Sequence, residues 1–71
     1  MTAKRKEQIE KLILDLKESG NLTATDFFQA ARNTTWGESS ASIVEDYNMT
    51  LGRLFGRGEI NIMEVRKAMN P

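Results

Sequence analysis

The sequence has no cysteine and no histidine. Without cysteine it can form no disulfide and offers no thiolate to a metal, and without histidine it lacks the commonest acid-base group and most transition-metal ligand sets. Carboxylates are what remains for proton transfer. The adjacent pair Glu45 and Asp46 does not serve, because neighbours on a helix point about 100° apart and do not converge on one substrate atom. The glycines at 52, 56 and 58 resemble a phosphate loop only in spacing: no Lys-Ser/Thr follows them and no strand precedes them. No catalytic residue, no cofactor-binding residue and no metal ligand is therefore assigned, and the chain is expected not to be an enzyme.

An excess of either charge is missing too. Ten Lys and Arg balance ten Asp and Glu, so the chain as a whole casts no strong field toward nucleic acid or an anionic membrane, and any such role must rest on a local patch. Long apolar runs are also absent. No stretch approaches the roughly 20 residues a membrane helix needs, and after the basic Lys4-Arg5-Lys6 the one candidate stretch is interrupted by Asp15, Lys17 and Glu18, unlike a signal peptide. The expectation is a cytoplasmic chain with no membrane partner, in which the sequons at Asn21, Asn33 and Asn48 have no use.

What is present is a helical pattern. The 71 residues fit one domain spanning 1–71, which at this size buries only about 60% of the surface exposed by the unfolded chain. Hydrophobic residues make up 39% and charged residues 28% of the chain, too apolar for disorder. Stability must come from helix packing, with a homodimer as a candidate supplement to a core that no disulfide or metal can staple.

From Thr2 to Ser19, Ile9, Leu12, Ile13 and Leu16 recur at helical spacing and Gly20 stands where a left-handed cap belongs. Leu14 lies off that stripe and is a candidate second contact surface, and Glu7 with Lys11 makes a favourable pair four apart. Thr23 with Asp26 caps a second helix, Ala24 to Arg32, with Leu22 placed to staple on Phe27. The polar run from Asn33 to Ser40 reads as a loop. Trp36 inside it has two readings, a lid folded back on the core or an exposed anchor for a partner.

Ser42 with Glu45 makes a capping box for a third helix whose inner face is Ile43, Tyr47, Leu51 and Leu54, with Val44 and Phe55 beside them. Gly52 interrupts this helix and marks a candidate close backbone contact; Gly56-Arg57-Gly58 ends it. Asn61 with Glu64 repeats the box before a fourth helix, Ile62 to Met69, with Ile62, Val65 and Met69 as its stripe. A strand through Glu59 to Met63 competes, since Ile60 and Ile62 alternate. The fold class expected is all-α, a compact bundle of about four short helices with a helix-turn-helix-like core.

Two binding surfaces are open to such a bundle. Lys4, Arg5 and Lys6, with Arg53 and Arg57 four apart at the end of the third helix, are candidates for phosphate contact. The order of elements resembles the winged-helix and helix-turn-helix DNA-binding superfamily over roughly Ile9 to Ile60, on the run from Leu12 through Gly20 to Leu22-Thr23 and on Tyr47, Leu51, Leu54, Gly58 and Ile60. The resemblance implies a recognition helix in the third position, with Asn48 and Arg53 at bases or phosphates and Ser39, Ser40 and Ser42 near its entry. Under this reading the partner is DNA or a transcription-regulatory complex.

The alternative is a protein-interaction module, such as a small phage or plasmid-borne inhibitor or adaptor, using Phe28, Trp36, Glu45, Asp46 and Met49. The carboxylates of Glu45 and Asp46 sit where a recognition helix would meet phosphate, which favours the alternative. Asp46→Lys separates the two on paper: it strengthens DNA binding and weakens a protein complex.

Overall fold

A computed structural model describes residues 3–32 and 40–70. It contains four helices: α1 (Ala3–Glu18), α2 (Ala24–Arg32), α3 (Ser40–Gly56) and α4 (Ile62–Met69). The chain is all-α as expected, and among the described residues there is no strand. Glu59 to Met63 are turn and helix entry. The alternating Ile60 and Ile62 do not face two sides of a sheet; Ile60 is buried beside the cap and Ile62 is exposed in the first turn.

Helices α1 and α3 end where their residues dictate. Gly20 and Gly58 both have φ +77°, a conformation open to glycine because it has no Cβ. Around each, the same two bonds close the helix. Asn21 N–H donates to the Leu16 carbonyl at 2.9 Å and Gly20 N–H to Lys17 at 3.0 Å, while Glu59 N–H donates to Leu54 and Gly58 N–H to Phe55, both at 3.0 Å. This is the Schellman pattern, which satisfies carbonyls that the helix leaves over.

The starts are equally local. Thr23 Oγ1 accepts from the Asp26 N–H at 3.1 Å, and the Asn61 box closes both ways at 2.8 Å. Helix α3 departs from its expected start. It begins at Ser40 and not after Ser42, so Ser42 lies within the first turn and is not the cap. Ala41, the best helix former, lets the helix run further back than the Ser42–Glu45 pattern implies.

The core joins Ile9 and Ile13 of α1, Phe27 and Ala31 of α2, Tyr47, Leu51 and Leu54 of α3, Ala68 of α4, and Leu22 and Ile60 from the turns. Helix α1 packs mainly on α2 and α3, and α4 also packs on α2 and α3, which closes the four helices into a body of 30 × 22 × 19 Å. Leu14 packs against this core and is not a separate surface. On α4 the inner positions are Ala68 and Val65, while Ile62 and Met69 are exposed, so the expected stripe is rotated. Glu7 and Lys11 form no ion pair among the described residues; Glu10 instead meets Arg57 at 3.1 Å.

An aromatic trio fills the centre. Phe27 stacks on Tyr47 with centroids 4.2 Å apart and planes at 29°, and Phe28 stands edge-on to Phe27 at 5.3 Å. The Tyr47 hydroxyl donates to the Ala68 carbonyl at 2.6 Å, fastening α3 to the end of α4. Burial pushes the Tyr47 phenol up to about 12 from 10.0. The folded state therefore holds this proton at a pH where the unfolded chain has released it. The associated stability is complete below pH 10 and is lost as pH rises through 12. Tyr47 is the sole tyrosine, so phenolate absorbance should titrate near 12 in the folded protein and near 10 in denaturant. Tyr47→Phe should cost about 1 kcal/mol at neutral pH and flatten melting temperature between pH 10 and 12 relative to the parent. A parent midpoint at 10 would contradict the burial.

Candidate functional site

The basic residues singled out in the sequence do not gather on one open face. Arg5 follows the apolar stripe of α1, one turn before Ile9 and two before Ile13, and is only 4% exposed. Its Nε donates to Asp46 Oδ2 at 2.9 Å, joining α1 to α3. A residue assigned to phosphate and one assigned to a protein partner are thus each other's partner. The pair also changes what Asp46→Lys would report: it would set two cations together in the interior and unfold the chain before it could test binding.

Arg53 is half-buried and its Nη2 donates to Thr50 Oγ1 at 3.2 Å. Thr50, fully buried, donates in turn to the Asp46 carbonyl at 2.7 Å. Arg57 is divided between Glu59, reached by its Nε at 2.7 Å, and Glu10 at 3.1 Å. Of the N-terminal cations, Lys4 is exposed and Lys6 half-buried. Two further lysines serve helix ends. Lys67 Nζ donates to the Gly20 carbonyl at 2.8 Å and Lys17 Nζ to the Glu59 carbonyl, each placing a cation where a helix dipole is negative.

The apolar candidates divide differently. Phe28 is half-buried against the core and lines a groove of about 290 Å³ with Ala31, Arg32, Ile43 and Val44. Met49 is 53% exposed, and the sequence reading did not foresee that Phe55 (47%) and Val44 (43%) would share its helix as open surface. Asn48, Glu45, Gly52 and Gly56 are exposed on α3 as well. Trp36 and Ser39 lie outside the described residues, as does most of the loop from Asn33 to Ser40.

The outward side of α3 is therefore the candidate site: Met49 and Phe55 flanked by Asn48, one carboxylate at Glu45, and the bare backbone of Gly52 and Gly56. A Cβ built on Gly52 meets nothing within 4 Å, so the expected close contact of this glycine is not made among the described residues. Its signal was available, since the outward positions are those left over when Tyr47, Leu51 and Leu54 are turned in. Among the described residues no group of three or more acidic side chains could hold a metal, and no helix is long and apolar enough to cross a membrane. Compared with family models, curated proteins and solved structures, the chain has no match in any of the three.

Proposed function

We propose that this chain is a non-enzymatic protein-interaction module that docks through the outward side of α3. One observation carries the reading: Arg53 and Arg57, the cations at the end of this helix, are engaged with Thr50, Glu59 and Glu10, while the face itself presents Met49, Phe55 and a single carboxylate, Glu45. A helix that reads DNA needs free donors toward phosphate and base edges. A helix that docks protein needs an apolar centre with a sparse polar rim. The helix-turn-helix resemblance is compatible with this role, since such a shape can sit in a regulatory complex without touching DNA.

The test is affinity capture from the host lysate with and without nuclease, comparing the parent with Met49→Lys. Met49 is exposed, so its replacement should leave stability within about 0.5 kcal/mol, which circular dichroism checks. A protein retained after nuclease and lost with Met49→Lys is the expected result. Capture that disappears with nuclease, or duplex binding that weakens steeply with salt, would replace this reading with a DNA-binding one.

A further inference from the structure

We infer that the outward face of α3 is complementary to itself, so that its occupant is the same face of a second copy of this chain, packed antiparallel. The inference rests on α3 being the docking face and goes on to name what docks. Glu45, Met49, Gly52 and Gly56 succeed one another by four, three and four residues, the spacing of a seam in paired helices, and all four are exposed. In the monomer this seam has one large apolar side chain next to a position with none.

A two-fold axis midway between positions 49 and 52 sets each Met49 over Gly52 of the other copy. The flexible thioether fills the space left by the missing side chain, and does so twice by symmetry. The same antiparallel register brings Glu45 of one copy to within about one helical turn of Arg53 of the other. That guanidinium is half-buried and bonded to Thr50, so it adds a fixed positive charge opposite Glu45. Parallel pairing in register does the opposite, placing Glu45 against Glu45 and Gly52 against Gly52, so charge and shape both select the antiparallel arrangement.

Gly52 supplies an independent reason. Mid-helix glycine is the least favourable residue there after proline, its φ is not positive, and no described neighbour requires its lack of a side chain. A side chain of a second copy seated over it does require it. One pair of 17-residue helices makes a small interface, so association should be of the weak, transient kind, with dissociation in the micromolar range or above.

Sedimentation equilibrium from about 1 μM to about 1 mM should show the mass rising from 8.0 kDa toward twice that value. Gly52→Ala should raise the melting temperature of the dilute monomer while weakening association at least tenfold, because the new methyl group occupies the site of Met49. Glu45→Arg should also weaken association, and mixing it with Arg53→Glu should give a heterodimer tighter than either variant with itself. A parent that stays at 8.0 kDa throughout, or a Gly52→Ala variant that associates as tightly as the parent, overturns the inference. A monomeric parent whose Met49→Lys variant still loses a captured protein overturns only the self-pairing. Capture indifferent to Met49→Lys strikes instead at the docking face.

Discussion

Asp46→Ala should lower stability by about 3 kcal/mol, because it leaves the Arg5 guanidinium facing a space from which its carboxylate has been removed. Arg5 is 4% exposed, and the pair spans the contact between α1 and α3. A domain of this length has roughly 4–10 kcal/mol in total, so the loss is a large part of it. At about 4–8 °C per kcal/mol, the melting temperature should fall by more than 10 °C. Asp46→Ala acts through a buried charge that has lost its carboxylate partner more than through the lost attraction itself. Replacing both partners, Arg5→Met with Asp46→Leu, should therefore recover most of the loss. A fall of only a few degrees in the single variant, or a double variant as unstable as the single, would show that the pair is not what holds these helices.

Phe27→Ala should be more damaging still, at about 3–5 kcal/mol. Phe27 is fully buried, stacks on Tyr47 and supports Phe28 edge-on, so its removal opens a cavity bordered by two rings that cannot both shift inward. The effect should appear as a reduced denaturant midpoint at unchanged slope. Phe27→Leu, which retains much of the apolar volume, should cost less than half as much. An Ala variant within 1 kcal/mol of the parent would mean that the rings collapse freely and that α2 is loosely held.

These two positions show unequally in the sequence. Phe27 is readable, because its place four residues after the Thr23 cap and its distance from Leu22 define a staple. The caps and both glycine stops are readable for the same reason: each is decided within five or six residues of chain, and the structure has Gly20, Gly58 and Asn61 in those roles. Arg5 is not readable in this way. A cation beside two others suggests solvent, and the evidence against it, its alignment with Ile9 and Ile13, acquires meaning only when Asp46 is known to lie opposite, 41 residues away.

The candidate surface falls between these cases. Met49 was accessible to sequence reasoning as an apolar residue off the inner face of α3. That Asp46, Arg53 and Arg57 are drawn into internal bonds depends on tertiary neighbours that no local spacing encodes. Helix α4 shows the same limit from the apolar side. Ala68 occupies the interior beneath the Tyr47 hydroxyl, whereas the larger Ile62 and Met69 remain outside, because the space available there is set by the aromatic trio.

The short stretch from Lys67 to Asn70 receives bonds from distant parts of the chain. The Ala68 carbonyl takes the Tyr47 hydroxyl, the Asn70 carbonyl takes the Ala24 N–H at 3.2 Å, and Lys67 returns to Gly20. Helices α1, α2 and α3 all precede this stretch in the chain, and none of these bonds can form until it docks. The first turn of α2 and the buried phenol must then wait, hydrated, for the last turn of α4. Native closure is accordingly tied to residues 67–70, and a chain in which they have not docked would hold its helices made and its centre still open to water.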